Sequence, residues 1–203
     1  MMPPLEPPND SARTPELQTR ALDELSYIRR AMEEAGSFTS VSGWAQVWIG
    51  FVGLGAAAIA HRQASSLGWL GVWLAAAAAG LVIAFAGLLR KARAAGMSPF
   101  AGPARRFAVS FGLPLAAGAA LTVALEGAGL YRLLPGTWLL LFGTAVACGG
   151  AFSVRIVPLM GVCFMALGIV ALFVPGAGDT FMAAGFGGLL IGFGAEIARR
   201  HGG

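Results

Sequence analysis

Residues 67–89 read LGWLGVWLAAAAAGLVIAFAGLL, an unbroken run with no charged residue. A helix rises about 1.5 Å per residue, so roughly twenty such residues cover the 30 Å of bilayer hydrocarbon. The run does not alternate polar with apolar residues, which excludes a strand of a membrane barrel. In a bilayer the backbone N–H and C=O groups have no water to bind. Only a helix satisfies them within one segment. This stretch is therefore read as a transmembrane helix.

Five similar blocks surround it, giving six in all: about 41–60, 67–89, 107–125, 133–152, 156–174 and 180–198. The expected fold is an all-α polytopic bundle of six transmembrane helices over 41–198, preceded by a cytoplasmic amphipathic helix. Composition agrees. The 203 residues are 57% hydrophobic and 12% charged, whereas soluble domains run near a quarter charged. A soluble globular enzyme, a disordered regulator and a disulfide scaffold are excluded. The weakest boundary lies between the fourth and fifth blocks, where only Arg155 interrupts the run and Gly149, Gly150 and Pro158 must supply a tight turn.

The net charge is +4, but the basic residues form no stripe for nucleic acid. They cluster at block ends, as topology signals do. Arg29, Arg30, Arg90, Lys91, Arg93, Arg105, Arg106, Arg155, Arg199 and Arg200 fall on one side; Arg62 and Arg132 fall on the other. Ten against two places both termini in the cytoplasm. Trp44, Trp48, Trp69, Trp73, Tyr131 and Trp138 stand near block ends and read as interfacial anchors.

The N-terminal region divides in two. Residues 1–13 hold Pro3, Pro4, Pro7 and Pro8 and read as a disordered tail. Residues 14–36 read as a helix, with Thr14 to cap it, Pro15 at its first position and Gly36 to stop it. Leu17, Ala21, Leu25, Ile28 and Met32 share one face at steps of three and four. The opposite face is charged and net acidic, so anionic lipid does not attract it. The simpler reading packs the apolar face on the bundle's own cytoplasmic face; the functional reading makes it the candidate docking surface for a protein partner or a second copy.

Small residues recur at steps of four: Ala76, Gly80 and Ala84; Gly143, Ala147 and Ala151; Ala184, Gly188 and Gly192. Such stripes let helix backbones approach closely, and packing within the bundle is the expected use. A homo-oligomer face is the alternative. Pro114 in the third block is expected to kink its helix.

Chemistry is sparse. Glu196 is the candidate intramembrane polar site, with Arg199 and Arg200 at i+3 and i+4. A local ion pair is the simpler reading of it. Cys148 and Cys163 read as small buried thiols. His61 and His201 fall at opposite faces, so they cannot pair as haem ligands. No metal-ligand spacing and no nucleophile–base pair is visible. No cofactor and no enzymatic activity are expected; membrane lipids are the expected partners, and nucleic acid is not.

Two stretches carry a resemblance. One is Glu24-Leu25-Ser26-Tyr27-Ile28-Arg29-Arg30-Ala31-Met32-Glu33, followed by Phe38-Thr39 and Gly43-Trp44. The other is Phe186-Gly187-Gly188-Leu189-Leu190-Ile191-Gly192-Phe193-Gly194, followed by Ile197-Ala198-Arg199-Arg200. Both resemble a family of bacterial six-helix integral membrane proteins of no known activity. The resemblance implies a bacterial inner membrane and carries no site residues. The functional expectation is a non-enzymatic membrane protein that docks a partner or a second copy through its N-terminal helix. The alternative is a small-solute or proton transporter or channel, for which Ser110, Thr122, Thr144, Glu196 and Pro114 are the raw material.

Overall fold

The structure is a computed structural model that describes residues 42–94, 103–151, 153–174 and 176–201. These lie in the second of two compact units, which runs from Phe38 to Gly203. The segments 1–13 and 14–36, with the face Leu17, Ala21, Leu25, Ile28 and Met32, lie outside the described residues.

The described residues form six helices long and apolar enough to cross a membrane, and no strand. They are α1 (Gly43–Ala60), α2 (Ser66–Ala94), α3 (Pro103–Gly127), α4 (Leu134–Gly150), α5 (Ile156–Phe173) and α6. A short 3-10 turn, Tyr131–Leu133, leads into α4. The last helix starts as Gly178–Met182, widens into a π-helical stretch at Ala183–Leu189 and closes as Leu190–His201. The described residues are thus all-helical, with six spans of the kind found in a multi-pass membrane protein.

Local chemistry sets where each helix starts and stops. The Ser42 hydroxyl caps α1 by accepting from the Ala45 N–H at 3.4 Å. Ser65 opens α2, its hydroxyl accepting from the Gly68 N–H at 3.1 Å. Past α3, Gly129 adopts φ +72°, and the Leu130 N–H reaches back to the Leu125 carbonyl at 2.8 Å. That is the Schellman closure, and glycine enters it without the steric cost other residues meet. Pro135 lies in the first turn of α4, where its missing N–H costs nothing. Between α4 and α5, the Ser153 N–H bonds the Gly150 carbonyl at 2.9 Å, and Pro158 already lies inside α5. The expected kink site, Pro114, lies within a single helix that continues through it.

Helix pairs pack in two ways. Where α4 crosses α5, Gly143 and Gly161 meet: a Cβ on either would stand 2.6 Å from the carbonyl oxygen of the other. Where α1 crosses α6, a Cβ on Gly43 would strike the backbone of Gly194 and Ala198. Backbone contact of this kind supplies the van der Waals energy that lipid cannot. In contrast, α2 and α3 expose most of their length. Leu67, Leu81 and Val82 on α2, and Leu113 and Val123 on α3, are each at least two-thirds exposed. On a soluble protein such surface would drive aggregation; on these helices it suits acyl chains.

The stripes do not all behave as expected. Gly143 is buried against α5, and Gly80 packs on Ile49 of α1. On α6, however, Ala184, Gly188 and Gly192 are exposed, and nothing lies near the two glycines. That helix packs instead through Gly185, Gly187 and Gly194. The π-helical stretch shifts the register of faces, pressing Gly185 on Leu139 and Gly187 on Leu54.

Candidate functional site

The 1–2, 3–4 and 5–6 turns share one end of the bundle, and its polar side chains converge on the first turn of α2. Ser66, Trp69 and Trp73 lie at i, i+3 and i+7, so they share a helix face. Thr122 and Glu126 lie at i and i+4 on α3, in its last two turns before the glycine stop. Asp179 sits in the first turn of α6, where a negative charge complements the helix dipole.

These three faces meet through short bonds. Ser66 Oγ donates to Glu126 Oε1 at 2.6 Å. Trp69 Nε1 donates to Asp179 Oδ1 at 2.7 Å. His61, just past the end of α1, brings Nδ1 to 3.3 Å from Asp179 Oδ2. Trp138 Nε1 of α4 donates to Thr122 Oγ1 at 2.8 Å, and that hydroxyl donates to the Gly118 carbonyl at 2.7 Å. The Trp69 and Trp138 rings lie 5.6 Å apart. One turn of α2 is thus tied to α6 and α3 directly, and to α4 through ring contact.

From this end an aromatic column runs into the bundle. Trp73 follows Trp69 at 6.2 Å and meets Phe186 of the π-helical stretch at 6.0 Å. Phe186 touches Phe142 at 4.9 Å and Phe164 at 5.5 Å. Phe142 reaches Phe111 of α3 at 5.8 Å. Tilted and edge-on ring pairs contribute about 0.5–1.5 kcal/mol each beyond area burial. Rings therefore fill the centre that the helix backbones leave open.

This corrects the reading of the tryptophans. Trp44 and Trp48 are exposed, as interfacial anchors are. Trp73 is only 4% exposed, and Trp69 and Trp138 are half-buried. The latter two spend their N–H groups on Asp179 and Thr122. Position near a block end suits both an anchor and a core residue, so sequence position did not separate them. The shared face of Ser66, Trp69 and Trp73 is the signal that could have.

The sequence-derived site residue Glu196 stands apart from this cluster. Its carboxylate pairs with the Arg200 guanidinium one turn on, and the two side chains are 34% and 71% exposed. Such a pair contributes at most about 1 kcal/mol once solvent screening is counted. Thr144 donates to its own helix at the Leu140 carbonyl, 2.9 Å away. The cysteines are both free; Cys163 is half-buried, but Cys148 is exposed rather than buried, because it lies on the face of α4 away from Gly143.

Four buried polar atoms have no hydrogen-bond partner among the described residues: Glu126 Oε2, Trp73 Nε1, Gln46 Oε1 and Ser153 Oγ. Gln46 was not singled out from the sequence. It lies on α1, only 6% exposed, facing Gly194 of α6. A polar residue one turn inside the first apolar block was its only signal.

Compared with known proteins, the chain matches no family, no curated protein and no solved structure. The identification as a membrane protein rests on the six apolar helices.

Proposed function

We propose that this is a non-enzymatic, multi-pass protein of a bacterial inner membrane, with both termini in the cytoplasm. In this reading the segment 14–36 docks a protein partner or a second copy through Leu17, Ala21, Leu25, Ile28 and Met32. What carries it over transport is the condition of the membrane domain's polar side chains. Ser66 bonds Glu126, Trp69 bonds Asp179, Trp138 bonds Thr122, and Thr144 bonds its own helix. Glu196 is paired with Arg200. Of the groups that could line a solute path, Thr122, Thr144 and Glu196 are engaged locally. The amphipathic face is the larger unspent resource: each large apolar side chain fully buried is worth roughly 1.5–3 kcal/mol. A helix of that length is marginal alone and gains stability by lying on something.

The test is hydrogen exchange over residues 15–35 in the full-length protein, compared with a Leu25→Asp/Ile28→Asp variant. The expected result is protection in the parent, lost in the variant, with membrane insertion intact. An unprotected parent, or a variant as protected as the parent, ends the docking reading.

A small-solute or proton transporter is the second reading. The observation that favours it is the set of unpartnered buried atoms within the spans, Glu126 Oε2, Trp73 Nε1 and Gln46 Oε1. An ionisable group within a membrane is a functional suspect by default, and Glu126 is the ionisable residue of the three.

A further inference from the structure

We propose that Asp179 is a proton-operated latch that fastens the first turn of α2 to the bundle and lets it go in acid. The proposal does not rest on the docking reading. It rests on one carboxylate serving two other helices. Asp179 Oδ1 accepts the Trp69 N–H of α2, and Oδ2 faces the His61 ring at the end of α1. A proton on this carboxylate occupies one oxygen and removes the charge that makes both contacts strong. Charge-assisted hydrogen bonds are roughly twice as strong as neutral ones, so the loss falls on both partners together.

Proton access follows from placement. The Asp179 side chain is 29% exposed, and His61, directly against it, is 80% exposed. The carboxylate is thus at the bundle's end, within reach of bulk water. The consequence of release follows from packing. Beyond its contact with α1, the turn of α2 at Trp69 is held by Asp179, by the Ser66–Glu126 bond and by the Trp138 ring. Its outer face, with Leu67 and Leu74, is exposed and packs on no other described helix. Letting go of the Trp69 indole frees the top of the aromatic column that continues through Trp73 to Phe186.

Among the described residues, few charged groups face Asp179. From the end of α1 comes the His61 ring, 3.3 Å from Oδ2. From α2 comes Trp69, which does not titrate. Across the Trp69 face, α3 brings Glu126, bonded to Ser66. The start of α4 brings Pro135 against Gly178 and no charge; Tyr131 and Arg132 in the preceding turn are exposed. The end of α5, Phe173 and Val174, carries none. Among the described residues, neither Arg62 nor Arg132 forms an ion pair with Asp179.

The experiment follows tryptophan emission of the full-length protein in lipid nanodiscs from pH 8 to pH 3.5. The parent should show one reversible transition. Asp179→Asn is neutral with one acceptor oxygen, like the protonated acid, and cannot titrate, so it should show the parent's acid-state emission at every pH while its helical signal and elution match the parent. Trp69→Phe should lose the optical signal. Hydrogen exchange over residues 66–74 of the parent, corrected for the intrinsic rate at each pH, reads the same event without a variant. It should show faster exchange in acid. A parent without a transition in both measurements overturns the latch. So does an Asp179→Asn transition like the parent's.

Discussion

Gly143 on α4 and Gly192 on α6 belong to stripes of the same kind, small residues at steps of four in an apolar helix. Their surroundings are opposite. A Cβ on Gly143 would stand 2.6 Å from the Gly161 carbonyl, whereas one on Gly192 would meet nothing within 4 Å. The difference teaches that a small-residue stripe states a capacity for close packing, not its use. What uses it is a second helix with its own gap at the same height. Gly161 and Gly168 on α5 provide that gap for α4. For α6, the π-helical stretch turns Gly185, Gly187 and Gly194 toward neighbours and leaves the stripe outside.

Three substitutions would break or sharpen this contrast, each read as unfolding free energy in mixed detergent. Gly143→Leu should have the largest effect. It places a branched side chain where backbone atoms already touch, and overpacking costs about 1–3 kcal/mol or more. A loss below about 1 kcal/mol would mean that α4 and α5 are not held by backbone contact. Trp138→Phe should cost about 1 kcal/mol. It keeps the ring stack on Trp69 but gives up the bond to Thr122, and interhelical polar bonds in membranes average near 0.6 and reach about 1.7 kcal/mol. The Thr122 hydroxyl keeps its own bond to the Gly118 carbonyl, which limits the damage. Gly192→Leu should be the smallest, within about 0.5 kcal/mol, as for substitutions on an open surface. A large loss there, accompanied by a smaller assembly on sizing, would show that a second copy covers the α6 stripe.

The ends of the bundle repeat the lesson in polar form. Glu196 and Asp179 are both acids near an end of α6. Glu196 drew attention because two arginines follow it at helical spacing. It forms a local pair with one of them. Asp179 had no such neighbour in sequence, yet it receives Trp69 and faces His61, 110 and 118 positions away. Local spacing made the first partner legible. The second set depended on three helix ends arriving together, which no window of sequence contains.

Much of the fold was legible for the converse reason. Apolar length is a property of each segment alone, and the bilayer leaves only one backbone solution for it. Six helices could thus be read without knowing how they pack. Caps and stops were legible locally too: Pro135 at a helix start and glycines at the 4–5 turn act within a few residues. The buried indoles were not. Trp69, Trp73 and Trp138 occupy the block-end positions that anchors occupy, and only the placement of Phe186, Thr122 and Asp179 on other helices made them core.

The sequence by itself determined that six segments are helical and membrane-spanning in length, because hydrophobicity and hydrogen-bond closure are settled residue by residue. The tertiary structure decided which faces of those helices are used. Helix neighbours, the backbone gaps at Gly143 and Gly161, the widened turn at Ala183–Leu189 and the three-helix bond set at Asp179 all depend on distances between segments far apart in the chain. Between apolar helices in lipid, many faces are nearly equal in hydrophobicity. Shape and a few polar contacts therefore choose among them, and these exist only once the helices have met.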